Sequence, residues 1–168
     1  MPKALVSDDA GSWLVRGVET LRDGGCAPIT VVLGAAADPA RDLVDALDVA
    51  VVVADDWAEG MGASLRAGLR SLDGSTEDGV VVSLVDLPDL VPEIVSRVIA
   101  AAGAGPAALA RASYDGRPGH PVLLGRDHWA GVVETAVGDQ GARAYLASRE
   151  VTLVECADLA TGRDVDSR

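Results

Sequence analysis

The sequence predicts an α/β fold in which helices cover both faces of a mostly parallel sheet. Three observations carry this. Apolar, Val-rich runs recur at Ile29 to Leu33, Val49 to Val53 and Val80 to Val85, the pattern of strands buried on both faces. Segments rich in Ala and Leu with helical spacing alternate with them, as parallel strands require. The hydrophobic fraction is 49% of 168 residues, enough for the core of one domain of ordinary size. The chain contains no Phe, so Ala, Val and Leu must fill that core.

The elements follow in order. Leu14, Val15, Val18 and Leu21 keep helical spacing, and Gly24-Gly25 end the run. Ile29 to Leu33 is a strand closed by Gly34. Asp38-Pro39 opens a short helix carrying Leu43, Ala46 and Leu47, and Val49 to Val53 is the next strand. Leu65, Leu69 and Leu72 mark a helix beginning near Met61. Val80 to Val85 is a strand ending at Asp86, and Pro92 stands in the first turn of a helix through Ile99. Ala107 to Ala112 and Pro121 to Leu124 read as strands around an Asp115-Gly116 turn, a small antiparallel insertion. Short helices over 129–137 and 142–147 and a strand from Val151 to Val154 complete the pattern. The chain opens on a helix pattern, whereas a doubly wound domain normally opens on a central strand.

Charge and cysteine content exclude several functions. The formal net charge of -12 repels nucleic acid and anionic membrane at long range. A small phosphate ligand can still bind where a divalent cation supplies positive field, which makes Mg²⁺ the expected cofactor. Cys26 and Cys156 have no paired spacing, so they read as small core residues, and a reducing cytoplasm is the expected compartment. No apolar run approaches the roughly 18 residues of a membrane span.

Five segments could carry chemistry. Asp86, at the end of a buried strand, is placed either to hold Mg²⁺ where open α/β sheets bind ligands or to serve as a turn residue before Pro88. Its neighbour Asp89 reads as a cap for the helix near Pro92. Glu59-Gly60-Met61-Gly62-Ala63-Ser64 opens a helix with bare backbone at its two glycines, suited to ligand approach or to a tight loop. Gly116-Arg117-Pro118-Gly119-His120-Pro121 presents Arg117 and His120 to an anion or forms a plain hairpin turn. In Gly138-Asp139-Gln140-Gly141-Ala142-Arg143, Asp139 reads as the cap of the helix containing Tyr145, and Arg143 can face an anion. Asp164 and Asp166, two apart on an extended tail, can share a metal or lie in a solvated acidic end. Trp13, Trp57 and Trp129 read as packing anchors.

Taken in order, these pieces resemble the MobA-like NTP transferase domain family, and within it the molybdenum cofactor cytidylyltransferase (MocA-like) branch. The resemblance runs through Pro2-Lys3-Ala4-Leu5, the segment from Trp57 to Leu69, Val85-Asp86-Leu87-Pro88, the Gly116–Pro121 and Gly138–Arg143 segments, and Asp164-Val165-Asp166-Ser167. It implies a Rossmann-like three-layer α/β/α nucleotidyltransferase sheet of the glycosyltransferase-A-like kind. It implies an acceptor phosphate, on molybdopterin or a related molecule, attacking the α-phosphorus of an NTP with loss of pyrophosphate. CTP is the favoured nucleotide and GTP the second. By resemblance, Asp86 and Asp166 hold Mg²⁺. Lys3 offsets triphosphate charge, Gly60, Met61, Gly62 and Ser64 approach the nucleotide, and Arg117, His120 and Arg143 face the acceptor.

The resemblance also implies a departure. The family's first strand and Gly-rich phosphate loop, about 20 residues, have no counterpart ahead of Met1, and the family's continuation beyond the tail is also missing. Residues 1–168 therefore read as a single nucleotidyltransferase-like domain, truncated relative to the family. Made alone, it is expected to be unstable or inactive, because a sheet without its central strand leaves backbone groups unpaired. Two further readings stay open: a sugar-phosphate or other small-molecule nucleotidyltransferase, and an inactive accessory protein that partners a molybdoenzyme.

Overall fold

The computed structural model describes residues 1–165. After a 3-10 turn at Lys3–Leu5 come a two-residue hairpin, β1 (Ser7–Asp8) and β2 (Gly11–Ser12), then α1 (Trp13–Asp23), β3 (Thr30–Leu33) and α2 (Ala37–Val44). Next are β4 (Ala50–Val53), a 3-10 turn at Trp57–Glu59, α3 (Met61–Ser71), β5 (Gly79–Val82) and α4 (Pro92–Ala102). The second half holds β6 (Leu109–Tyr114), β7 (Arg117–Gly125), α5 (Trp129–Thr135), α6 (Arg143–Ala147) and β8 (Thr152–Glu155). None of the described helices is long and apolar enough to cross a membrane.

The strands fall into two main sheets. β3 and β4 pair in parallel, and β5-β7-β6-β8 form a four-stranded sheet. β8 runs parallel to β6, and β7 runs antiparallel to both β5 and β6. The antiparallel hairpin is therefore no excursion: β7 lies inside the main sheet, between β5 and β6. Asp115 (φ 53°) and Gly116 (φ 77°) make its turn, both left-handed, as a tight hairpin demands. The Glu155 carboxylate fixes that turn, accepting from the amides of Asp115 at 2.8 Å and Gly116 at 3.1 Å.

β5 is shorter than the predicted Val80 to Val85. Its ladder with β7 runs from Gly79 opposite Gly125 to Val82 opposite Val122. The ladder stops there, where β7 reaches Pro121, which has no N–H to donate. Ser83 to Asp86 thus leave the ladder and carry Asp86 beyond the sheet. Among the described residues β3 pairs only with β4, and β5 only with β7.

Three clusters make the core. Leu14 and Val18 of α1 and Ala40 and Val44 of α2 pack on Val31 and Leu33 of β3. Ile94 and Val98 of α4 cover one face of the larger sheet through Ala110, Ala112, Leu123 and Val154. Leu69 of α3, Trp129 and Val132 of α5, and Tyr145 and Leu146 of α6 cover the other through Leu109, Val122 and Leu124. The larger sheet thus lies between two layers of helices, the α/β/α layering that the resemblance implied. Cys156 is fully buried against α4, and Cys26 is half-buried beside α1, as small core residues.

Candidate active site

The loops beyond the strand ends bring distant segments together. Lys3, the chain's single lysine, pairs with Oδ2 of Asp86, which is only 6% exposed. Beside them opens a cavity of about 340 Å³ lined by Pro2, Lys3, Gly34, Ala35, Trp57, Gly60, Met61 and Ser64. Four residues expected to approach a nucleotide or its phosphates, Lys3, Gly60, Met61 and Ser64, therefore share one wall.

Gly62 has another task. A Cβ there would come within 3.0 Å of Ala136 and Gly138 backbone, so its bareness admits the chain after α5, and Gly62 does not line the cavity. Asp139 corrects a second expectation. It does not cap α6, which has no side-chain cap; its Oδ1 instead accepts from the amide of Met61 at 3.4 Å, at the start of α3. Arg66 reinforces this junction, donating to Ala136 O at 2.6 Å and to Asp56 and Glu59 at 2.8 Å.

Trp57 departs from the packing role expected of all three tryptophans. Trp13 and Trp129 are each 7% exposed, whereas Trp57 is 46% exposed at the cavity wall. Gly34 makes room for it, since a Cβ there would lie 2.7 Å from the Trp57 Cβ.

The C-terminal tail folds back on the Asp86 loop at two points. Asp89 does not cap α4; its Oδ2 accepts from Thr161 N at 2.8 Å and Thr161 Oγ1 at 2.6 Å. Four residues on, Val165 N donates to Asp86 O at 3.0 Å. Asp166, expected as a metal ligand, lies outside the described residues. Among the described residues no group of three His, Cys, Asp or Glu side chains is poised for a metal.

His120 follows the same strand ends. It is partly buried on β7, and its carbonyl accepts from Tyr114 Oη at 2.7 Å. Burial and the nearby Arg111 charge push its imidazole down to about 4, while Asp86 and Asp164 act in the opposite sense. Arg117 is exposed at the hairpin tip, opposite Tyr114. Arg143 is exposed at the start of α6 and close enough to Arg111 to act on its charge. Sequence reading took Trp57 for packing and passed over Arg111, the one charge in the otherwise small and apolar run from Ala107 to Ala112.

A family model for the MobA-like NTP transferase domain matches residues 1–153. The chain belongs to that family. The MobA-like domain is 34% identical to nicotine blue oxidoreductase of Paenarthrobacter nicotinovorans over 175 residues, spanning 99% of this chain and 84% of the relative. A crystal structure of an Rv0371c homologue from Mycobacterium sp. strain JC1 superposes with a TM-score of 0.81 at 25% identity, covering 99% of this chain and 83% of that one. Rv0371c of Mycobacterium tuberculosis, solved in complex with manganese, aligns with a TM-score of 0.71 at 25% identity over 92% of this chain and 80% of that one. The MobA-like domain thus has the Rossmann-like α/β fold of the nucleotidyltransferases. Its relatives include a protein named an oxidoreductase, so family membership does not single out the cytidylyltransferase branch.

Proposed function

We propose that this chain, acting as a single nucleotidyltransferase-like domain, transfers CMP, or GMP as second choice, from an NTP to a phosphate of molybdopterin and releases pyrophosphate. The carrying observation is the ion pair of buried Asp86 with partly exposed Lys3 at the edge of a cavity walled by Gly60, Met61, Ser64 and Trp57. An acceptor phosphate oxygen bonds to the α-phosphorus as the bond to the pyrophosphate oxygen breaks. Little covalent chemistry falls to the protein, which positions both substrates and offsets charge.

Asp86 suits a hard divalent cation: it is a buried oxygen donor beyond a strand end, and such cations bind through one or two carboxylates plus substrate phosphates. The manganese bound by Rv0371c supports a metal here, with Mg²⁺ the expected ion. When bound, it would neutralise triphosphate charge. Lys3 would hold phosphate oxygens beside it, Trp57 and the Gly60–Ser64 wall would seat the base and ribose, and His120, Arg117 and Arg143 would face the acceptor.

Pyrophosphate release, measured for each NTP with and without Mg²⁺ and molybdopterin, tests this reading. Release with CTP that requires both additions supports it. Equal release with a sugar phosphate in place of molybdopterin transfers the assignment to a sugar-phosphate nucleotidyltransferase. The 34% identity to nicotine blue oxidoreductase favours one second reading, a redox enzyme using the same cavity. A change in the oxidation state of nicotine blue, followed by its colour and with no NTP turnover, would select it.

A further inference from the structure

Asp89 spends its carboxylate on a distant segment. It stands just ahead of α4, where a cap would be a local contact, yet α4 takes no side-chain cap. Oδ2 accepts instead from both donors of Thr161, the amide at 2.8 Å and the hydroxyl at 2.6 Å. Oδ1 is buried and has no hydrogen-bond partner among the described residues. A buried carboxylate oxygen without a donor opposes folding. What Asp89 contributes is therefore position rather than stability.

Thr161 belongs to a strap. Arg97 of α4 holds its start, donating to Glu155 O at 2.9 Å and to the two Asp158 carboxylate oxygens at 2.7 and 3.0 Å. Leu159 and Ala160 then pack on the cluster under α4. Beyond them the chain crosses Tyr114. Gly162 (φ 65°) lies so close to that ring that a Cβ would run into it. The far end returns to the loop after β5, where Val165 N donates to Asp86 O at 3.0 Å. Among the described residues, Asp89 supplies the side-chain hydrogen bonds that tie 161–165 to the rest of the chain.

Asp86 depends on such ties. β5 ends at Val82, so no ladder fixes the loop that carries it. Its backbone is held by Val165, and Arg16 of α1 donates to Pro88 O at 2.8 Å. We propose that Asp89 is a positioning residue: by gripping Thr161 it seats the strap on this loop and fixes the Asp86 carboxylate for a divalent cation. That the seated carboxylate holds a metal rests on the reading above; the strap itself does not. In this role Asp89 acts through Thr161 and needs an acceptor oxygen, not a charge.

The test is Mn²⁺ binding to the full chain, followed by the EPR signal of the free ion, together with deuterium exchange at the Val165 amide. Asp89→Ala should raise the Mn²⁺ Kd roughly 10- to 100-fold, the scale on which residues that orient metal ligands act. Val165 exchange should speed up in step. Thr161→Val removes one of the two donors and should fall between; it alters an exposed side chain, so it carries the test if Asp89→Ala unfolds. Asp89→Asn keeps the acceptor and should stay near wild type, which a metal ligand would not allow. Unchanged Mn²⁺ affinity in Asp89→Ala and Thr161→Val would overturn the inference, as would an Asn variant as weak as Ala. Failure of the transferase reading looks different. If wild type binds no Mn²⁺ and turns over no NTP, that reading falls with the metal. The strap then stands if Val165 exchange is faster in Asp89→Ala and falls if it is unchanged.

Discussion

Lys3 and Asp86, 83 positions apart in sequence, form an ion pair at the tip of the loop that follows β5. Asp86→Asn keeps the size of the side chain and removes its charge. If Asp86 holds the divalent ion, metal-dependent pyrophosphate release should fall roughly 100-fold or more, the scale of losing one preorganised electrostatic group. Circular dichroism should report an intact fold. A variant that keeps full activity would remove Asp86 from the chemistry.

Trp57 offers a direct reading of nucleotide binding. The other two tryptophans are buried, so nucleotide added to the protein should quench the Trp57 emission selectively. Base stacking on an aromatic ring contributes about 1–3 kcal/mol. Trp57→Ala should therefore raise the nucleotide Kd by roughly 5- to 150-fold and abolish the quenching. Quenching that survives the substitution would move the base elsewhere.

Two glycines separate local propensity from packing. Gly17 sits inside α1 with open space where a Cβ would go, so Gly17→Ala should stabilise the fold by about 0.5–1 kcal/mol. Gly62 sits in α3 against the backbone of Ala136 and Gly138, so Gly62→Ala should destabilise it by about 1–3 kcal/mol. Thermal unfolding should move in opposite directions for the two, by a few degrees each way.

His120 should make stability depend on pH in a defined window. An unfolded chain protonates its histidine near 6.5, whereas burial holds the folded imidazole neutral down to about 4. Between those values the unfolded state binds the extra proton, so stability falls as pH drops from about 6.5 to about 4 and levels off below. His120→Gln should flatten that part of the Tm profile. An imidazole NMR titration with a midpoint near 6.5 in the folded protein would contradict the assignment.

The strands and helices were legible because Val runs and Leu spacing report burial directly. Asp115-Gly116 announced its hairpin for the same local reason. What failed was partner choice. Asp89 and Asp139 have the chemistry of caps, but their partners, Thr161 and the Met61 amide, come from 72 and 78 positions away. The position of β7 between β5 and β6 is likewise a long-range fact that no periodicity encodes. Asp86 stood out as a candidate because a carboxylate after a buried strand is a local pattern. Trp57 was taken for packing because exposure of a single aromatic depends on Gly34 across the loop.

The division of the strands into a β3–β4 pair and a four-stranded sheet has a consequence for cooperativity. No ladder crosses between the two sets among the described residues; they are joined by helices, with α1 resting on α4 and α3 reaching both. Side-chain packing yields to small displacements more readily than a ladder does. The amides of Val31 and Val52 should therefore exchange with deuterium as one subglobal unit. Those of Ala110 and Leu123 should exchange as a second, slower one.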